Sequence, residues 1–318
     1  MAKVFPATLL ALTILCSASD KSQLLALVQH AADISNLRSA NTGPFRLRAT
    51  VHSYGAEPAN AEYSLIWVTS DQWREEISIE NDHALRIGGK GTVSTKDDTE
   101  QIQAVRSQLR PLDISVLLYI KPNQSLGGVK TRNHDNVKEQ CLSRTAKLSI
   151  KTELCFDAAI GVLLRVEEGD DTTEFSKYSD FKGKLFPRLV TRLNGKKPHE
   201  VIEVDELTYD SQPDPALFNI DAEYKTMAGC EHPVTPTPIE LPDPVYPAEL
   251  RTRDPKHVKL SATVTESGGV ENIIVLRSAG PLDTYATAAL EKWQFAPATC
   301  GTRAVPFQFS IEMQFKTY

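Results

Sequence analysis

The most constraining feature of this sequence is a strictly alternating stretch close to its C-terminus. Apolar side chains occupy six consecutive odd positions: Val305, Phe307, Phe309, Ile311, Met313 and Phe315. Polar side chains occupy the even positions from Gln308 to Gln314. A period of two is typical of a β-strand with one buried face. The C-terminal end must therefore contain a sheet and a second layer that covers this apolar face.

The residues upstream supply the other parts of such a two-layer unit. In chain order they predict the strand Lys259–Thr265, a turn at Gly268-Gly269, the strand Val270–Leu276, the helix Asp283–Phe295 and a stop at Pro297. Glycine tolerates the backbone angles of a tight turn, and proline ends a helix. The final strand is predicted over Arg303–Phe315. The order strand, turn, strand, helix, strand leaves one edge of the sheet open.

This order resembles the TonB C-terminal domain over residues 240–318. The resemblance rests on Tyr246-Pro247, on the strand order and on Lys292–Pro297 before the last strand. It implies that the module binds a short extended segment of an outer-membrane receptor by adding a strand to its sheet edge. The partner-binding residues implied are Tyr246, Pro247, Arg303, Val305, Phe307, Phe309, Ile311 and Met313.

Simpler interpretations of these residues stay open at this point. The apolar odd positions and Trp293 also suit a hydrophobic core, and Tyr246-Pro247 also suits an entry turn. The polar face of the last strand also suits a solvated surface. The sequence further departs from a TonB transducer, because we expect neither an uncleaved membrane anchor nor a long proline-rich spacer.

The middle of the chain predicts a larger β domain. Strand patterns run from Phe45 to about Ile220, and Asn194-Gly195 is a strong hairpin signal. A leading helix is predicted over Lys21–Asn36 and a helical segment over Gln101–Tyr119, which Pro111 divides. We therefore expect an α+β chain with a large bent antiparallel sheet or half-open barrel and covering helices, followed by the small two-layer α/β domain.

This middle region resembles the lipoprotein-carrier (LolA-type) fold over residues 22–225. The resemblance rests on the leading helix, the strand order and the Trp67–Glu76 hairpin, and it implies an apolar hollow. The predicted domains are a signal peptide (1–18), the carrier-like domain (19–226), a proline-rich linker (227–244) and the TonB-like domain (245–318).

The N-terminus predicts export. Lys3 precedes the apolar run Val4–Leu15, and small residues follow it, as in a secretory signal peptide. We expect cleavage near Ala18 and a periplasmic or secreted protein. Cys16 leaves open an alternative in which a lipid anchors the mature chain.

Export gives the remaining cysteines a structural role. Cys141, Cys155, Cys230 and Cys300 would remain after cleavage, and an even number favours disulfides in an oxidising compartment. Proximity along the chain predicts the pairs Cys141–Cys155 and Cys230–Cys300.

Several functional classes lack support in the sequence. The formal net charge is −6 and no cationic run exists, which argues against nucleic-acid binding. The seven histidines are scattered without metal-ligand spacing, and no Gly-x-Ser-x-Gly motif is present. We therefore expect no metal, no cofactor and no catalysis.

Together these features predict an exported, non-enzymatic binding protein. Its C-terminal module would engage an outer-membrane receptor-type envelope protein by strand addition, with a link to TonB-dependent transport. The alternative is a periplasmic carrier of lipid or lipoprotein acyl chains in the middle domain.

Overall fold

A computed structural model describes residues 19–54, 59–120, 124–146, 151–228, 233–253 and 256–315. The predicted signal peptide, Cys16 and Cys230 lie outside these residues. Within them the chain forms one large open sheet with few helices, followed by a small sheet covered by a helix. This is the predicted fold class.

Fourteen described strands build the large sheet. They are β1 (Phe45–Ser53), β2 (Ala59–Thr69), β3 (Gln72–Ile79), β4 (Asp82–Gly89), β5 (Thr92–Lys96), β6 (Gln124–Leu126), β7 (Lys130–His134), β8 (Val137–Ala146), β9 (Thr152–Asp157), β10 (Leu163–Glu168), β11 (Asp171–Phe181), β12 (Lys184–Asn194), β13 (Lys197–Tyr209) and β14 (Lys225–Ala228). Their order is β14-β5-β4-β3-β2-β1-β13-β12-β11-β10-β9-β8-β6, with β7 also on β8. All of the pairings are antiparallel. The sheet stays open because β14 and β6 do not pair with each other.

Local sequence explains much of this pairing. In β1 the odd residues from Phe45 to Val51 are buried, as the alternation requires. The predicted Asn194-Gly195 hairpin is present, with Asn194 opposite Lys197 and a positive φ of 60° at Gly195. Glycine adopts that angle without the steric penalty of a side chain.

Helices cover one face of the large sheet. They are α1 (Ser19–Ser35), α2 (Glu100–Gln108), a 3₁₀ turn (Arg110–Leu112) and α3 (Ile114–Leu117). Pro111 interrupts the predicted helical segment as expected, because proline supplies no backbone N–H within a helix. The helices and the sheet share one core, which includes Leu24, Val28, Ala31, Phe45, Leu47, Ile77, Ile102, Val105, Ile114 and Phe186.

The C-terminal unit is a second sheet with its own core. Its elements are β15 (Thr237–Glu240), β16 (Lys256–Val264), β17 (Val270–Arg277), α4 (Leu282–Leu290), β18 (Gln294–Ala296), β19 (Ala298–Cys300), β20 (Arg303–Val305) and β21 (Phe307–Phe315). The main sheet has the order β17-β16-β21, and β15 pairs with β18. Residues of α4, β16 and β21 pack with Trp293 and Phe295 in one cluster.

Two boundaries in this unit differ from the prediction. The helix ends at Leu290 rather than Phe295, because Phe295 donates its backbone N–H to Gly268 O and joins β18. The last strand is divided at Pro306, which has no N–H to donate. Residues 303–305 consequently pair with β19 in a separate hairpin, and only Phe307–Phe315 pair with β16.

Strand pairing also defines the segment between the two sheets. Residues 225–228 form β14 and belong to the large sheet, whereas 237–240 form β15 and belong to the C-terminal unit. Trp293 holds the following residues in place, because its Nε1 donates to Pro242 O at 3.1 Å. The described residues of the proline-rich segment, 227–228 and 233–244, are thus attached at both ends, whereas its boundaries as a linker stay a prediction.

The cysteines support the predicted disulfide framework. Cys141 and Cys155 are directly opposite on β8 and β9, are buried and are bonded to each other. This prediction is confirmed. Cys300 is disulfide-bonded. Its predicted partner Cys230 lies outside the described residues, so that pair stays a prediction.

Removing the confirmed disulfide should destabilise the large sheet. The two cysteines are 14 residues apart, and closing a loop of about this length contributes roughly 3 kcal/mol through the unfolded state. We expect the double substitution Cys141→Ala/Cys155→Ala to lower the free energy of unfolding by about 2–4 kcal/mol in urea titrations. Exposed Lys138→Ala on the same strand is the control. An unchanged midpoint in the double variant would contradict the stabilising role.

Candidate functional site

The open edge of β21 is the first candidate site. On one side β21 pairs with β16 from Phe307 to Phe315. No other described strand pairs with its second side. An edge of this kind presents main-chain donors and acceptors that an extended chain matches.

The side chains of β21 follow the predicted alternation. Met313 and Phe315 are buried, while Phe307, Phe309 and Ile311 are half-buried against the same cluster. The ring of Phe309 lies 5.6 Å from that of Phe295. These odd residues therefore contribute to the core, and the half-buried ones also border the open edge.

Tyr246-Pro247 lies at one end of this edge strand. The Tyr246 ring meets the Phe315 ring edge-on at 5.4 Å, and its hydroxyl accepts a hydrogen bond from Thr252 N at 3.0 Å. Pro247 precedes the 3₁₀ turn Ala248–Leu250. The pair thus shapes the entry to the fold and also borders the end of β21.

The opposite, polar face of the small sheet contacts the large sheet. Asp171 at the start of β11 accepts from Arg277 Nη1 at 2.8 Å and Lys259 Nζ at 3.2 Å. Asn194 donates to the same carboxylate at 3.0 Å. Burial by itself raises the pKa of Asp171, but Lys259, Arg277 and the Asn194 hydrogen bond outweigh it and hold the pKa below its ordinary value.

A second contact joins the units near β20. Arg303 Nη2 donates to Gly91 O at 3.0 Å, across 212 residues of sequence. Arg303, which the sequence assigned to partner binding, therefore contacts the large sheet. Val305 is buried on the same short strand. Both lie off the open edge of β21.

A cavity of about 230 Å³ lies between the helices and the large sheet, with Gln308 of the small sheet in its lining. It is lined by Leu109 just after α2, by Ile114 of α3, by strand residues such as Phe45 and Leu65, and by Gln308 from β21. The hollow expected from the sequence is thus largely filled by helix side chains. What remains is small and is bordered by both units.

Sequence reasoning missed the residues that join the two units. The side chain of Asp171 is only 14% exposed and is ion-paired, although two adjacent aspartates in a turn are typical of a solvated surface. Its partners are 88 and 106 residues away in sequence. No pattern among neighbouring residues predicts a contact between positions so far apart in the sequence.

One group of side chains has metal-ligand proximity in the described part of the chain. It consists of Glu139, Cys141 and Cys155. The two sulfurs are bonded to each other, so they offer no thiolates. The prediction of no metal site is neither strengthened nor weakened by this group.

The family match concerns the C-terminal unit. Residues 242–317 match the family described as Gram-negative bacterial TonB protein C-terminal. This segment belongs to that family. The solution structure of the Pseudomonas aeruginosa TonB C-terminal domain is 30% identical, and the match covers 26% of this chain and 86% of that chain at a TM-score of 0.23.

Other solved structures match a larger share of this chain at lower sequence identity. A LolA superfamily protein from Nitrosomonas europaea is 10% identical, with 63% of this chain and 98% of that chain covered and a TM-score of 0.43. The MucA/MucB complex of Pseudomonas aeruginosa is 13% identical, with 85% and 98% covered and a TM-score of 0.29. None of the curated proteins matches this chain. Among the described residues, no helix has the length and apolar character to span a membrane.

The ion pairs of Asp171 give a prediction about how firmly the TonB C-terminal domain is attached to the large sheet. We expect Asp171→Asn to loosen the two units, because it removes the negative charge that pairs with Lys259 and Arg277. Amide hydrogen exchange in β16 and β17 should accelerate, and the radius of gyration from small-angle X-ray scattering should rise. Its exposed neighbour provides the control Asp170→Asn. Equal exchange in both variants would show that the ion pairs do not hold the units together.

The contact between the two units also predicts that the free energy of unfolding depends on pH. Burial lowers the pKa of His199 to about 4 from 6.5, aided by the cations Arg192, Lys259 and Arg277 and opposed by Asp171. Between these values the unfolded chain binds more protons than the folded one. Stability should therefore fall as the pH is lowered from about 6.5 to about 4.

Urea titrations across this pH range test the His199 effect. We expect His199→Gln to be less sensitive to pH than the unsubstituted protein. Exposed His30→Gln on α1 is the control and should retain the dependence. A His199→Gln variant with an unchanged pH profile would exclude this histidine as the cause.

Proposed function

We propose that this chain is an exported, non-enzymatic binding protein of the cell envelope. Its TonB C-terminal domain captures an extended segment of an outer-membrane receptor-type protein by strand addition at β21. The observation that carries this proposal is the open edge of β21, which no other described strand covers. Main-chain hydrogen bonds would supply the affinity, because each added residue pairs with a group on the edge.

The side chains beside the edge suit an alternating partner segment. A strand added to β21 places successive side chains on opposite faces of the sheet. One set would continue the row of Phe307, Phe309 and Ile311, which are half-buried. The other set would continue the row of Gln308 and Ser310. We therefore propose a segment that alternates apolar and polar residues and ends near Tyr246.

The contact between the two units supports a binding role. Ion pairs of Asp171 with Lys259 and Arg277 attach the polar face of the small sheet to the large sheet. Neither of these ion pairs uses a residue of β21, although Gln308 of β21 lines the cavity that both units border. The large domain thus acts as a support from which the edge is presented, and a link to TonB-dependent transport would come through the receptor.

The carrier alternative has less support in the described residues. The cavity of about 230 Å³ is smaller than the roughly 300–1,000 Å³ of typical small-molecule pockets. A cleft of about 370 Å³ beside β1 is lined mainly by polar and charged side chains such as Arg48, Glu62 and Asp205, which do not suit an acyl chain. The helices α1, α2 and α3 occupy the face where an acyl chain would bind. Carriage of lipid or lipoprotein chains therefore stays a prediction from the sequence.

Peptide titration tests strand addition. Synthetic ten-residue peptides covering the N-terminal segments of the organism's TonB-dependent outer-membrane receptors serve as probes. We expect at least one to shift the amide resonances of Phe307–Phe315 in NMR spectra, because those amides gain a paired strand. The outer edge strand β17, Val270–Arg277, serves as an internal control. The absence of β21 shifts for every peptide at millimolar concentration would overturn the proposal.

Proline substitutions in β21 test whether the peptide pairs with the main chain of this edge. Consecutive residues of an edge strand point their N–H groups alternately toward the neighbouring strand and away from it. Of Ser310→Pro and Ile311→Pro, the variant whose N–H points away should keep its fold and bind the peptide about tenfold more weakly, since one hydrogen bond is lost. The other variant should destabilise the β16 pairing. Full peptide affinity in both folded variants would exclude main-chain pairing at this edge.

A further inference from the structure

The Cys141–Cys155 disulfide lies on the face of the large sheet that the helices do not cover. Residues directly opposite each other in an antiparallel pair share one face, and neighbours along a strand alternate between faces. Leu142 and Leu154 are the next residues along β8 and β9, lie opposite each other and belong to the core that the helices cover. The two cysteines therefore point to the other side of the sheet, and the hydrophobic core does not enclose their sulfur atoms.

Charged side chains cover the disulfide on this side. Arg132 on β7 lies opposite Glu139 on β8, and Arg165 on β10 lies opposite Cys155. Both arginines donate to Glu139 Oε2, at 3.2 and 2.7 Å. The cysteines are buried beneath this layer, but the Arg132 side chain is itself 36% exposed. Rotamer changes of exposed side chains are fast, so a movement of Arg132 would open a path to the sulfur atoms without separating the strands.

The two sulfur atoms have different electrostatic surroundings. Arg132 Nη2 donates to Cys155 Sγ at 2.9 Å. Glu139 Oε2 lies 3.7 Å from Cys141 Sγ. A guanidinium beside a cysteine favours its thiolate form, whereas a carboxylate accepts a hydrogen bond from a thiol. In the reduced chain Cys155 would therefore be the thiolate and Cys141 the protonated thiol.

These neighbours suit the reduced cysteines better than the disulfide. A disulfide sulfur carries neither a charge nor a proton, so it gains little from a guanidinium or a carboxylate beside it. A thiolate forms a charge-assisted hydrogen bond with the guanidinium, and a thiol donates to the carboxylate. Groups that stabilise the reduced form make a disulfide easier to reduce. The surroundings of Cys141 and Cys155 therefore favour reduction.

Carboxylates compete with Cys155 for the charge of Arg132. Besides Glu139, Arg132 pairs with Glu167 at 2.6 Å and with Glu153 at 3.2 Å. Both of these glutamates are partly exposed, so water solvates them as well. Removing one of their charges would leave Arg132 with a larger share of its charge for a thiolate at Cys155.

We propose that Cys141–Cys155 is a site of reversible thiol–disulfide exchange with the dithiol of an exported oxidoreductase. A thiolate of that partner attacks Cys141 Sγ, the bond between the two cysteine sulfurs breaks, and Cys155 leaves as a thiolate beside Arg132. The partner's second thiol loses its proton to water and attacks the mixed disulfide. The partner is thereby oxidised to a disulfide, and the released Cys141 takes up a proton. This exchange goes beyond strand addition at β21 and concerns a different surface.

Redox titration of the full chain tests the proposal. The folded chain is equilibrated with mixtures of reduced and oxidised glutathione, quenched with acid, alkylated and analysed by peptide mass spectrometry. We expect Arg132→Gln to lower the equilibrium constant for reduction at pH 7 about tenfold, or roughly 30 mV, because the thiolate loses its cation. Glu167→Gln should raise the constant about threefold, because a competing carboxylate is removed. Arg48→Gln, at an exposed arginine on β1, is the matched control and should leave it unchanged.

The opposite signs of the two variants distinguish an effect of charge from a loosened sheet, which would move both in the same direction. The proposal is overturned by a shift of the same sign in both folded variants, or by an unchanged constant in folded Arg132→Gln. A disulfide that stays oxidised in an excess of reduced glutathione would overturn it as well. Thermal unfolding establishes that each variant folds.

The pH dependence of the unsubstituted chain decides if either variant does not fold. Reduction to one thiolate and one thiol takes up one proton. The equilibrium constant, referred to a reductant of fixed potential, should therefore change about tenfold per pH unit around neutral pH. A change of about a hundredfold per unit would mean that both cysteines are protonated, and it would overturn the role of Arg132 and the proposal with it.

Discussion

The ion pairs of Asp171 with Lys259 and Arg277 determine how the two sheets of this molecule are arranged. The carboxylate is largely withdrawn from water, so its two cations and the Asn194 amide compensate the loss of hydration. The contact uses the polar face of the small sheet. Its apolar face is already covered by α4, and its outer strand β21 is consequently left at the periphery. The open edge and the cavity beside Gln308 both depend on this arrangement.

Much of the fold follows from patterns that are local in the chain. The alternation of β1 and β21, the Asn194-Gly195 turn and the Cys141–Cys155 pair each depend on residues close in sequence. Sequence reasoning was less successful where the pattern was weak or interrupted. The polar strand Lys130–His134 has no apolar alternation and was not predicted. Pro306 divided a run whose side chains alternate without a break, because backbone donors and not side-chain polarity decide where pairing stops.

Of the candidate site, too, one part was predicted from the sequence and another part was not. The edge strand and Tyr246 were predicted from the resemblance to TonB domains, and Tyr246 does lie against Phe315 at the end of β21. Arg303 was expected at that edge but contacts Gly91 instead, since its hairpin turns toward the large sheet. The charges around the cavity could not be predicted. Glu75 and Arg106 come from a strand and a helix whose sequences resemble ordinary solvated surfaces.

Gln308 is part of two surfaces at once. Its backbone belongs to the strand at which we expect a partner to add, and its side chain closes the cavity. Any molecule that binds more tightly to the docked arrangement than to the undocked one stabilises docking by that difference in binding free energy. Linkage is reciprocal, so strand addition that displaced β21 would weaken the contact between the two units by the same free energy by which that contact opposes the added strand. The docking of the two units and the occupancy of the exterior edge would thereby depend on each other through one amide side chain.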